Sequence, residues 1–445
     1  MSQSVNNQKI SRHMWQIAVP SILANLSTPL LGLSDSFIMG HLPHEMYLAA
    51  VALGAMFFSI LYNGVNFLRM GTTGLAAQAH GRGDELSLNQ LFIRGCISAF
   101  VIGLLFVGLQ SFLSAGFFYF IKAEQSVIDL AHQYFSIRIW GAPFALMNYV
   151  AAGWLLGMGR AKDVLYIHLY MNISNILLNF LFVYGFDMTA DGVALGTLLS
   201  ESSSFILCIY LVMRRSKLHF KIPLFDAQVL DKIIDGPAFK KLFSLNRDIF
   251  IRTLCLTLTL ASFILLGTRF GTEILAANAV LMNLQNLTAY GLDGFAQAAE
   301  VLVGKEIGRK SKQNLRAAVI VSSKWAIYTA VAFSGFYWIF GEMLINGLTN
   351  IETIRTISSD YLIWVIILPL LSIWSFQLDG IFIGATAGSH MRNGMIISTL
   401  CYILCIFIFL PLWGNHGLWF SYAIFLIMRA LTLVFKYPEV EKRAL

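Results

Sequence analysis

Residues Met14–His41 read MWQIAVPSILANLSTPLLGLSDSFIMGH, and the nature of the whole chain follows from this stretch. It is long enough to cross a bilayer as one helix. It carries two internal prolines, Pro20 and Pro29, and one carboxylate, Asp35. Asn25, Thr28, Gly32 and Asp35 recur at spacings of three and four, so they share a helical face. A carboxylate in a membrane span is costly and faces a water-filled cavity or a partner. Each proline removes a backbone hydrogen bond and readies the helix to bend. A titratable group on a bendable span has the parts of a proton-driven switch. The plainer alternative is an acid neutralised by a nearby Lys or Arg, or one that sits wet at a span end.

Composition decides the class. Of 445 residues, 57% are hydrophobic and only 12% charged, and the mean hydropathy is +0.69. A soluble globule of this length is excluded, and a polytopic membrane protein is expected. The net charge of +7 therefore need not signal nucleic acid, because Lys and Arg in short loops set membrane topology. The first span is too long and too polar for a cleaved signal peptide. Cys96, Cys208, Cys255, Cys401 and Cys405 all lie in apolar runs and read as small apolar fillers. The histidines lack metal-ligand spacing and read as structural; for His168, near the cytoplasmic mouth of the fifth span, proton handling is the alternative. No Walker-type sequence is present, which argues against ATP as the energy source.

Apolar runs of spanning length recur about twelve times, near 14–40, 46–72, 91–120, 128–156, 163–186, 191–213, 246–268, 275–303, 317–345, 352–384, 392–412 and 416–436. Basic residues cluster in alternate loops, including the Arg214–Lys241 linker, while the opposite side has little beyond Lys122 and Arg269. The positive-inside rule puts both termini and the linker in the cytoplasm. The chain also repeats itself: LAAVALGAMFFSILYNGVNF from Leu48 aligns with LAANAVLMNLQNLTAYGLDGF from Leu275, an offset of 275 − 48 = 227. The same offset pairs Gly153 with Gly380 and Gly157 with Gly384. The expected organisation is a six-helix lobe over 1–213, a basic linker over 214–245 and a second six-helix lobe over 246–445. Two halves of like orientation predict an axis along the membrane normal and a central cleft.

Polar stripes mark what lines that cleft. The fifth span carries His168, Asn172, Asn175 and Asn179, and the sixth carries Thr197, Ser200, Glu201 and Ser204. The eighth carries Asn286, Asp293, Gln297 and Glu300, and the tenth carries Ser372, Ser375 and Asp379. A single stripe reads as interhelical glue, but several with ionisable groups point to an aqueous cavity. Arg69, Arg138 and Arg252 are explained by snorkelling or by pairing with a buried acid.

RMGTTGLAAQAHGRGD (Arg69–Asp84), LNRDIFIRTLCL (Leu245–Leu256), TAYGLDGFAQAAEVLVG (Thr288–Gly304) and LDGIFIGAT (Leu378–Thr386) together resemble the multidrug and toxic compound extrusion (MATE) transporters, in the DinF-like branch. The resemblance covers essentially the whole chain. It implies an all-α, V-shaped antiporter of two six-helix lobes that exports organic, often cationic compounds against a proton or sodium gradient. It also implies that Asp35 is the protonation site and that Asn148, Asn175, Asn179 and Thr197 line the first lobe's cavity. Some relatives carry an aspartate where this chain has Asn179, so Asp35 has one fewer acid beside it.

The reading is an inner-membrane, monomeric, proton-coupled exporter of hydrophobic organic cations, with no cofactor, no catalytic residue, no metal and no nucleic-acid partner. Pro20 and Pro29 would let the first helix bend, and Asp35 has only Ser262 as its counterpart in the second half. The alternatives are a sodium-coupled exporter using Asp293 or Asp379, or a flippase of a lipid-linked precursor. The flippase would call for a basic cavity, and Glu201 with the other stripe acids argues against it. An enzyme would need a nucleophile or metal cluster that the sequence does not offer.

Overall fold

Three turns of the computed structural model carry the 227-residue register into the backbone. Gly83, Gly159 and Asp187 take positive φ, at 71°, 74° and 54°, as do Lys310, Thr386 and Gly414, at 54°, 53° and 55°. Each of the second three lies 227 residues after one of the first: 310 − 83, 386 − 159 and 414 − 187. Left-handed backbone is uncommon away from glycine. Its recurrence at one offset marks the two halves as copies of one fold.

The structure describes residues 2–119, 121, 123–215 and 235–445, with side chains from 7 onward. Every element among them is helical. The first half comprises α1 (Ser2–Gly40), α2 (Glu45–Gly64), α3 (Phe67–Arg82), α4 (Glu85–Gly108), α5 (Gln110–Tyr119), α6 (Gln125–Arg138), α7 (Ala142–Gly157), α8 (Ala161–Phe180) and α9 (Ala190–Arg215). The second comprises α10 (Gly236–Gly267), α11 (Thr272–Gly308), α12 (Lys312–Leu348), α13 (Glu352–Gly384), α14 (Gly388–Val434) and the short α15 (Tyr437–Lys442). Of the basic linker expected at 214–245, residues 216–234 lie outside the described residues, as does Lys122. Arg214 and Arg215 close α9, and α10 has begun by Gly236.

Ten segments among the described residues are long and apolar enough to cross a membrane, so this is a multi-pass membrane protein. Two adjustments bring the ten to twelve. The 37-residue α11 is long enough but too polar to count by apolarity, since it carries Asn278, Gln285, Asp293, Gln297 and Glu300. The segment Gly388–Lys442 spans 55 residues, whose length as one straight helix would be about 80 Å against a bilayer core of about 30 Å. It reverses at Gly414, the one non-helical residue inside α14. Several expected runs are likewise two helices in tandem: α2 gives way to α3 around Val65 and Asn66, and α6 passes to α7 through a 3-10 turn at Ile139–Gly141. At the α3–α4 turn Asp84 accepts the Ser87 amide at 3.0 Å, and hydrogen bonds from Ser87 hold its carboxyl below the usual range.

By contact the chain forms two units, one of Leu23–Phe243 and one of Met1–Ile22 with Ser244–Leu445. The boundary within α1 thus falls between Pro20 and Pro29. The early part of α1 packs in the second unit, where the Trp15 ring meets Phe295 and Trp325 edge-on at 5.4 and 5.0 Å. The Trp325 indole donates to Ser11 Oγ at 2.9 Å. In the first unit the core gathers around Phe57, Phe58, Phe135 and Trp154, whose indole donates to the Leu88 carbonyl at 2.8 Å. In the second it gathers around Phe263, Tyr402, Trp419 and Phe425.

Helices in a bilayer gain little from hydrophobic exclusion and rely on close packing through small residues. The repeat shows this atom for atom. A Cβ on Gly153 would strike the Arg69 carbonyl, and one on Gly380 would strike the Ala296 carbonyl, 227 residues on in both partners. Gly157 and Gly384 press in the same way against the Thr73 and Glu300 carbonyls. Because the obstacle is backbone, it cannot rotate aside. Gly380→Ala is therefore expected to cost about 1–3 kcal/mol of stability, read as a lowered thermal midpoint of the detergent-purified protein. Gly335→Ala in α12, with open space around its Cα, should be neutral or slightly stabilising.

Candidate functional site

Asp35 lies near the end of α1 and is only 4% exposed. A buried carboxylate needs hydrogen-bond donors, and α8 supplies one. The Asn179 amide donates to Asp35 Oδ1 at 2.7 Å and, with its second N–H, to Asn175 Oδ1 at 3.1 Å. Asn175 in turn donates to Thr197 Oγ1 at 3.0 Å, and the Thr197 hydroxyl donates to the Val193 carbonyl at 2.9 Å. Asn175, Asn179 and Thr197 have no exposed surface. The result is a polar chain from α9 through α8 to α1, ending on the carboxylate. Gly196 makes room for it: a Cβ there would collide with Asn179 Oδ1.

Farther back along α8, Asn172 donates to the Ser27 carbonyl of α1 at 2.8 Å. Just before Pro29, the hydroxyls of Ser27 and Thr28 both turn back onto the Ala24 carbonyl, at 2.7 and 3.5 Å. Such back-bonding loosens the local helix, in the turn next to one that Pro29 already deprives of a backbone donor.

A second buried cluster lies in the same unit. The Arg138 guanidinium donates to the Tyr134 hydroxyl at 2.7 Å and to Glu201 Oε1 at 3.4 Å, and lies 4.5 Å from the centre of the Phe58 ring. Asn148 is placed here and not beside Asp35. Its amide donates to the Glu201 carbonyl at 2.9 Å and to Ser204 Oγ at 2.7 Å, which ties α7 to the turn of α9 that carries Glu201. The sequence offered pairing with a buried acid as one explanation of Arg138, and Glu201 is that acid. Nothing in the spacing identified it, because the partners are 63 residues apart on separate helices.

The second unit is built differently at the matching positions. Ser262 and Tyr402, which stand 227 residues after Asp35 and Asn175, share a hydrogen bond of 3.2 Å. Ile406 takes the place of Asn179 and packs in the core. The acids of this unit are engaged elsewhere. Asp379 Oδ2 accepts from Arg429 at 2.6 Å and also from Arg252. Asp293 accepts from Gln297 at 3.3 Å. Asn278 and Asn415 exchange amide hydrogen bonds of 2.7 and 3.0 Å. Among the described residues no three His, Cys, Asp or Glu side chains converge as a metal site.

The MatE family matches residues 20–181 and again 249–412, one match in each half. DNA damage-inducible protein F of Escherichia coli (strain K12) is 36% identical over 420 residues, covering 94% of this chain and 90% of that one. The probable multidrug resistance protein NorM of Agrobacterium fabrum (strain C58) is 27% identical, over 96% and 93% of the two chains. Among solved structures, a MATE protein in its bent conformation superposes with a TM-score of 0.84 at 18% identity, covering 98% of both chains. A MOP superfamily transporter from Pyrococcus furiosus gives 0.83 at 19%, covering 98% and 96%. At these identities the solved structures speak for the fold alone, and they agree with the repeated helical architecture described above. Matched in both halves and by a full-length relative, the chain belongs to the MatE family and is a membrane transporter, not an enzyme.

Proposed function

We propose that this protein is a proton-driven antiporter that exports hydrophobic organic cations, with Asp35 as the group that takes the proton. The observation that carries the reading is the 2.7 Å hydrogen bond from Asn179 to a buried Asp35 on a helix bearing two prolines. Ionised, Asp35 draws the amide dipole of Asn179 and offers its charge to a cation. Protonated, it no longer attracts that cation, and the reason for α1 to keep its present contacts with α8 weakens. Proton and cargo thus compete for one carboxylate, which is the thermodynamic requirement for exchange. The names of the relatives, one of them a probable multidrug resistance protein, support export of foreign compounds. The loop charges support cytoplasmic placement of both termini, and the reading places the protein in the inner membrane as a monomer.

Coupling through the second unit is the weaker alternative. A sodium ion at Asp379 would have to displace one of two arginines, and the position equivalent to Asp35 is a serine. A lipid-linked diphosphate would be repelled by ionised Asp35, which disfavours a flippase.

Asp35→Asn keeps the shape and removes the titration. In proteoliposomes with an imposed pH gradient it should abolish gradient-driven export of a cationic dye while cargo binding persists in part. Wild-type rates from that variant would move coupling elsewhere. In the wild type, cation affinity should fall as pH is lowered, because protons occupy the shared carboxylate.

Asn179→Leu withdraws the donor from a buried acid, a loss of about 1–3 kcal/mol. Export should drop by about tenfold or more while the protein still folds, because the membrane interior tolerates leucine. Asn175→Leu should have a smaller effect, since it acts on Asp35 only through Asn179. Unchanged transport by both variants would reduce the chain of amides to interhelical glue.

A further inference from the structure

Arg138 and Glu201 are 8% and 7% exposed, and burying such a pair is rarely a gain in stability. The sequence nevertheless clears space for it. A Cβ on Gly54 would collide with the Tyr134 ring that receives Arg138, and one on Gly141 would come within 3.0 Å of Glu201 Oε2. Asn148 braces the Glu201 backbone, and Phe58 lies against the guanidinium. Five helices thus contribute to one ion pair: α2, α6, α7 and α9 directly, and α1 through the charge of Asp35, which reaches both partners.

The charged groups of this interior form a short set. Asp35 comes from α1, Arg138 from α6 and Glu201 from α9, and the Tyr134 hydroxyl accepts from Arg138. Arg69 of α3 is only partly buried and donates to Asn66; its charge bears on Tyr149 and His168, whereas the charges that bear on Asp35 and Glu201 are those of this set. Two acids and one base leave a net charge of −1 when Asp35 is ionised and 0 when it is protonated. Without Glu201 the same two states would be 0 and +1. Without Arg138 they would be −2 and −1. In a low-dielectric interior such differences act over several ångströms without contact.

We propose that Arg138 and Glu201 are positioning residues that cancel each other's charge, so that Asp35 sets the net charge of this unit and the transporter accepts one monovalent cation for each proton. The pair therefore determines cargo charge without touching cargo. This rests on the proton–cation exchange proposed above.

The test uses full-length protein in liposomes under an imposed pH gradient, with tetraphenylphosphonium as the monovalent probe and methyl viologen as the divalent one. The readout is the ratio of their transport rates. Arg138→Met makes the interior more negative and should lower the monovalent-to-divalent ratio about tenfold. Glu201→Gln should raise it, because the divalent probe loses twice the attraction. The double variant restores the net charge and should return the ratio to the wild-type value, whatever its overall rate. If both single variants lose both probes by the same factor, the pair is structural only and the proposal fails. Should Arg138→Met fail to fold, Arg138→Gln removes the same charge while keeping an amide that can donate to the Tyr134 hydroxyl. It must lower the ratio as Arg138→Met does, and an unmoved ratio overturns the proposal. A wild-type protein that moves neither probe in response to the gradient overturns the exchange reading, and this inference with it.

Discussion

A carboxylate held inside a membrane helix constrains everything around it. Water is scarce there, so the donors must come from the protein. Asp35 receives one from Asn179, and Asn179 is itself held by Asn175 and backed by the space at Gly196. The helices that supply these residues, α8 and α9, leave Asn175, Asn179 and Thr197 no exposed surface. The stored asymmetry is electrostatic. In the proposed exchange, a proton on Asp35 would weaken its hydrogen bond with Asn179 between α1 and α8, and a shift of a few kcal/mol is enough to swing a two-state population. Pro29, with Ser27 and Thr28 turned back on Ala24, places a weakened stretch of helix six residues before the acid.

The two halves began as one design and have diverged where chemistry is done. Their turns, close glycine contacts and helix order keep the 227-residue register. At the Asp35 position the second half has a serine bonded to a tyrosine, and apolar packing replaces the asparagine chain. One of its buried acids, Asp379, is held between two arginines. The triad ties α10, α13 and α14 together. In the proposed exchange only the first half carries the responding carboxylate, and α1 contributes residues to both units.

Much of this was legible in the sequence because it is periodic. Helical spacing alone put Asn175, Asn179 and Thr197 on inward faces, and a constant offset exposed the repeat. The prolines and Asp35 were conspicuous because each violates what a membrane helix prefers. What stayed hidden was pairing across helices. Arg138 and Glu201 are each ordinary on their own, and no local signal links residues so far apart. Family resemblance put Asn148 in the first lobe's cavity, and its own hydrogen bonds run to the Glu201 turn. Gly196 and Gly141 gave no warning either, since a glycine that makes room for a neighbour's side chain looks like any other.

The account stands or falls on whether cargo and proton share Asp35. Calorimetric titration of the purified protein with tetraphenylphosphonium, in two buffers of different ionisation enthalpy, counts the protons released on binding. Near the pH where Asp35 titrates, the wild type should release a measurable fraction of a proton, approaching one per cation at lower pH, and Asp35→Asn should release none. Cation binding with no proton release in the wild type, or equal release in the variant, would contradict it.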